Sequence, residues 1–158
     1  MKSDRTEKVT PEEQIESALL ESSKLVEGFV VDTFFYYQRG ACYGMCPIFN
    51  LTIYNDGHAI YEGKNFVDRI GIYRTTMDEA VLQKVTQAAE SIGYFSFEDI
   101  YDNPHITDIP TTKTALRKDY KLKWVTNRYK GPAGLKVFYN EIDSIIEQHN
   151  WMKVSERD

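Results

Sequence analysis

The sequence predicts an α+β domain: an antiparallel sheet of about six strands in two hairpin units, two main helices on one face, and a short N-terminal helix. Three observations carry this. Runs dense in β-branched and aromatic residues suit a half-buried pleated surface, two of them fold back through turn-forming residues, and the apolar period twice changes from two residues to about 3.6, beyond Thr76 and beyond Pro132.

Residues 1–10 are polar and charged and read as a tail. Thr10, Pro11, Glu12 and Glu13 then form a helix start, with Ile15, Ala18, Leu19 and Leu20 on one side. GFVVDTFFYYQ, residues 28–38, reads as a strand; its poor alternation implies cover on both faces. In PIFNLTIYNDGHAIYEG, Phe49, Leu51 and Ile53 alternate with Asn50 and Thr52, and Asn55-Asp56-Gly57 turns the chain back through Ala59 to Glu62. A fourth strand follows at 67–76, completing a meander. Val81, Leu82, Val85, Ala88, Ala89 and Ile92 then make one helical stripe, capped by Thr76 and closed by Gly93. After an aromatic and acidic connector, 94–110, TTKTALRK and KLKWVTNR form a second hairpin turning at Asp119-Tyr120, with Thr114 and Leu116 expected to face Leu122 and Trp124. Gly131-Pro132 ends it, and Leu135, Phe138, Tyr139, Ile142, Ile145 and Ile146 line the closing helix. The expected organisation is a tail and short helix over 1–27, one domain over 28–150 and a tail over 151–158.

With 158 residues and 42% hydrophobic content the chain can bury a core, and its net charge of −5 argues against a whole-surface attraction to nucleic acid or anionic lipid. The N-terminus lacks the apolar stretch of a secretory signal, and no run could span a bilayer. As it stands the chain is expected in the cytoplasm; an exported protein trimmed of its signal would read the same.

Cys42 and Cys46 are the two cysteines, separated by three residues centred on Gly44 and followed by Pro47. The loop can curl to disulfide distance; in a reducing compartment the pair would instead be small buried hydrophobes. A reactive thiol needs nearby positive charge, and Arg39 is the one local cation. Zinc would need further ligands from His58, His105, His149 or carboxylates, which are scattered singly, so no metal or other cofactor is expected. A second region of interest is YDNPHITDIPTT, where Asp102, His105 and Asp108 could form a carboxylate–imidazole constellation or simply satisfy turns. A third is the cluster of Lys113, Arg117, Lys121, Lys123 and Arg128 on the second hairpin, following the acidic connector. Interleaved with Tyr120 and Trp124, it could bind nucleic acid or an acidic partner, or serve as a solvated face whose lysines guard a strand edge.

CYGMCPIFNLTIYNDGHAIYEG, TDIPTTKT and YKGPAGLKVFYNEID together resemble a bacterial family of unknown function, often met in the Bacteroidetes, with the pattern Cys-Phe/Tyr-Gly-x-Cys-Pro, Asp-Gly, then Thr-Asp-Ile/Leu-Pro. The likeness spans roughly residues 34–148. It departs at the second turn, Asp119-Tyr120, where Gly or Asn is expected, and at Gly131-Pro132-Ala133. The resemblance implies no assigned activity, cofactor or catalytic residue. With no nucleophile elbow, phosphate-cradling loop or helical His pair, the expected function is a non-catalytic module binding a protein or small ligand. The alternatives are a thiol-dependent redox protein or enzyme centred on Cys42 and Cys46, and nucleic-acid or acidic-partner binding through hairpin 113–130.

Overall fold

Alternation decides which face of each strand meets the helices. The computed structural model describes residues 31–154, in which a compact unit begins at Thr33; the short N-terminal helix expected at Pro11 lies outside the described residues. In β1 (Thr33–Arg39), Phe35 and Tyr37 are wholly buried, as are Leu51 and Ile53 of β2 (Ile48–Tyr54). β3 (His58–Asn65) adds Ala59 and Tyr61 to the same face, and β4 (Gly71–Thr76) completes the meander. The intervening residues Tyr36 and Phe34 are half-buried, so β1 is packed on one face rather than enclosed on both. The Asn55–Gly57 turn closes as its residues demand: Gly57 takes a φ of 94° and a Cβ there would stand 2.3 Å from the Met77 carbonyl oxygen.

Helix α1 (Glu79–Ser91) starts after Asp78 rather than at Thr76, which remains the last residue of β4; neither forms a side-chain cap here. Gly93, at φ 77°, ends it. After a 3-10 turn (Tyr94–Ser96) come β5 (Ile100–Tyr101), β6 (Thr112–Lys118), β7 (Lys121–Asn127), α2 (Gly134–Gln148) and β8 (Met152–Lys153). Leu82, Val85 and Ala89 of α1 and six apolar residues of α2 join the inward side chains of the sheet in one core. Burying these side chains, at roughly 1.5–3 kcal/mol each, is the main force holding helices to sheet.

Among the described residues the sheet has eight strands in the order β5-β7-β6-β1-β2-β3-β4-β8, not six, and it is mixed because β5 runs parallel to β7. Both additional strands are two-residue edges, too short to leave an alternating signal. Residues 151–153, expected as the start of a tail, are seated: Trp151 packs on Tyr61 and donates Nε1–H to the Ile146 carbonyl at 2.9 Å, and β8 pairs with β4. The second hairpin is offset by one residue from expectation. Its two-residue turn pairs Lys118 with Lys121, so Thr114 faces Val125, Leu116 faces Lys123, and Trp124 lies across from Ala115 on the face away from the helices. Asp119 takes the φ of 60° that the turn requires without a glycine.

Candidate functional site

The register brings four connections to one end of the sheet. Arg39 faces Phe49 and Thr112, Gly63 faces Gly71, and Thr112 faces Asn127. Loops 40–47, 66–70, 102–111 and 128–133 therefore gather there. Between the first two and α2 lies a cleft of about 310 Å³ lined by Arg39, Phe49, Tyr61, Phe66, Arg69 and Asp143, among others.

Phe49 and Tyr61 form its floor and belong to a longer chain of rings that continues into the core. Tyr139 stacks on Tyr37 at 5.8 Å, Tyr37 meets Phe49 edge-on at 5.3 Å, Phe49 stacks on Tyr61 at 5.3 Å, and Tyr61 tilts against Trp151 at 5.6 Å. The Tyr37 hydroxyl donates to Asp143 Oδ1 at 2.8 Å and accepts from Arg39 Nε at 3.0 Å. Burial pushes the Tyr37 and Tyr139 phenols up from the ordinary value, and pushes Tyr61 up to about 12. These phenols stay protonated at neutral pH, which suits hydrogen bonding and not base catalysis. The Tyr139 hydroxyl is buried without a partner at bonding geometry; the Asn127 amide beside it accepts instead from the Gly131 N–H.

Two cations face this floor. Burial opposes the Arg39 charge, but the Tyr37 hydroxyl and the Asp143 carboxylate outweigh it, and its pKa stands above the usual guanidinium value. Its guanidinium lies 5.8 Å from the centres of both the Tyr37 and Tyr139 rings. Arg69 is brought in because Gly63 has no side chain: a Cβ there would stand 1.7 Å from the Arg69 carbonyl oxygen. Each arginine pairs with a carboxylate of α2, Arg39 with Asp143 at 3.3 Å and Arg69 with Glu147 at 3.8 Å, the two acids one helical turn apart. Asp143 and Glu147 are 42% and 66% exposed, so each pair contributes little, about 0–1 kcal/mol, and a ligand could open it at small cost. Phe66, 45% exposed at a φ of 55° and held by the Asn65 side chain, stands on the rim. Tyr43 and Met45 project from the cysteine loop.

The residues singled out by sequence divide differently. Cys42 and Cys46 are joined, with α-carbons 5.8 Å apart. Asp102, His105 and Asp108 do not converge: Asp102 binds Arg128 Nε at 2.6 Å, His105 is exposed with its N–H on the Asn103 side chain, and Asp108 is an exposed residue at φ 63°. Nor do the cations share one face. Arg128 also donates to the Asn103 carbonyl at 3.0 Å and to that of Ile106, and Lys123, on the helix side, donates to Asp99 at 2.8 Å and to the Phe97 carbonyl. Arg117 donates to the Thr33 carbonyl at 2.7 Å, while Lys113 and Lys121 are exposed. The basic hairpin and acidic connector are thus partly each other's partner. Among the described residues, no group of three His, Cys, Asp or Glu could hold a metal ion, and no helix could cross a membrane. Of this set the sequence marks Arg39, as the cation beside the cysteines, and leaves Tyr37, Tyr61, Arg69, Asp143 and Glu147 unmarked apart from two acids at i and i+4 flanking the apolar stripe of α2.

Residues 33–146 match a family described as a domain of unknown function (DUF6438), and the chain belongs to that family. No curated protein matches it.

Proposed function

Starting from a member of a family without an assigned activity, we propose that the chain is a non-catalytic binding module whose ligand occupies the cleft between the cysteine loop, the 66–70 turn and α2. One observation carries this reading. Two arginines, Arg39 held by the Tyr37 hydroxyl and Asp143 and Arg69 paired with Glu147, stand over an apolar aromatic floor, the combination of a few polar anchors and apolar walls that small-ligand sites share. Fragment screening by protein-observed NMR tests it: shifts should concentrate at Arg39, Tyr61, Phe66 and Arg69 and vanish in Arg39→Ala. Turnover of any hit, or shifts confined elsewhere, would overturn it.

The alternatives have less support. A bridged pair offers no free thiol, and Arg39, its one sequence neighbour with positive charge, is engaged by Tyr37 and Asp143. Nucleic-acid binding through hairpin 113–130 loses Lys123 and Arg128 to the acidic connector. The bridge itself favours the exported reading of where the protein resides.

A further inference from the structure

β7 is the last full-length strand on its side of the sheet, and β5 covers its outer edge only at Thr126 and Asn127. Thr126 N–H donates to the Asp99 carbonyl and Arg128 N–H to that of Tyr101, both at 2.8 Å, so these alternate residues direct their backbone groups outward. The same alternation turns the N–H and C=O of Leu122 and Trp124 outward, and the pairing of Lys118 with Lys121 across the turn gives the same parity. Among the described residues no strand pairs with them, because β5 begins only at Ile100. Against this edge lies a hollow of about 480 Å³, lined by Phe95, Lys118, Lys121, Leu122 and Trp124 among others.

The geometry points to an acidic, extended peptide that adds to the sheet as a strand alongside Lys121–Val125, in line with β5. Main-chain groups of Leu122 and Trp124 supply the ladder, and the hollow receives alternate side chains. The charge of the hollow selects the partner. Lys118, Lys121 and Lys123 against Asp99 and Asp119 leave it one charge positive in a chain of net charge −5. Lys123 is committed to Asp99 at 2.8 Å and Lys118 Nζ rests 4.9 Å from the centre of the Phe95 ring, which leaves exposed Lys121 and the rim of Lys118 to meet carboxylates. A second copy docking edge to edge would oppose these lysines to their own equivalents. Trp124, 44% exposed and 5.6 Å from Tyr36, flanks the edge on the other side. This edge is remote in sequence from the Arg39 cleft, and its failure would leave that site untouched.

The test uses the full chain, labelled with 15N, and a capped heptapeptide of sequence threonine-valine-glutamate-valine-glutamate-valine-threonine. In the free chain the Leu122 and Trp124 amides should exchange with solvent at least 100-fold faster than the Val125 amide. At saturating peptide they should slow at least tenfold, with shifts over Lys121–Val125. A version with lysine for glutamate should bind at least tenfold more weakly, one with proline for the central valine should not bind, and Lys118→Glu with Lys121→Glu should reverse the charge preference. Protection of the two amides in the free chain would overturn the proposal, since the edge would already be occupied by this chain or a second copy. So would absence of shifts at millimolar peptide, or equal binding of the proline version.

Discussion

The Tyr37 hydroxyl donates to Asp143 across 2.8 Å, joining the middle of the sheet to the last helix over 106 positions of sequence. Asp143 is thereby held at a fixed distance from Arg39, and the cleft inherits its geometry from the core. Tyr37→Phe keeps the ring packing and removes this bond. It should cost about 1–1.5 kcal/mol in urea unfolding and broaden the Arg39 side-chain NMR signals; an unchanged midpoint would mean that the bond positions nothing.

Gly63 makes room for the backbone at Arg69. Gly63→Ala forces a Cβ against the Arg69 carbonyl oxygen, which is main chain and cannot swing away. A loss of about 2–3 kcal/mol, as for overpacked sites, is expected by chemical denaturation, together with shifts through residues 66–70. A neutral result would require the turn to move freely.

Tyr61 gives a pH signature. Burial raises its pKa in the folded protein to about 12, above the ordinary phenol value of 10.0. The folded state then holds its proton where the unfolded chain would lose it, so the contribution to stability is intact below pH 10 and is lost as pH rises toward 12. The difference in phenolate absorbance between the protein and Tyr61→Phe should appear only near pH 12, and the variant should show a shallower decline of stability above pH 10.

Arg128 ties the connector to the hairpin through Asp102, Asn103 and Ile106. Arg128→Ala should cost about 1–2 kcal/mol and speed amide exchange in residues 102–108 while leaving α2 protected. Equal exchange in that segment would show that Pro104 and Pro110 hold its path unaided.

The bridge closes a short loop, so its removal should matter locally. Cys42→Ser with Cys46→Ser should cost about 1–2 kcal/mol, a fall of about 3–8 °C in melting temperature, with chemical-shift changes confined near residues 40–47. Loss of the whole fold would contradict a bend-stabilising role.

What could be read in the sequence followed from local physics. Apolar periods located β2, β3, the second hairpin and both helices, because alternation and the 3.6-residue stripe are printed in consecutive residues. Asp56-Gly57 placed the first turn because few residues accept its backbone angles. The second turn was placed as well, yet its register slipped by one, since Lys118 and Lys121 carry no mark of which residue faces which.

The chain alone therefore determined the types of the longer strands and of the two main helices, the helix stripes, the first turn and the proximity of two cysteines able to bridge. Tertiary structure decided the rest. It bound Asp102 to Arg128 and not to His105, spread the cations over both faces, recruited Met152–Lys153 as an edge strand, and brought Arg39, Tyr61, Arg69 and Asp143 around one cleft, with Tyr37 bonded to Arg39 and Asp143 from the core. The physical reason is range. Periodicity and turn chemistry act between residues a few positions apart, whereas a site assembled by strand register and helix docking depends on pairings up to 106 positions apart that no local pattern encodes.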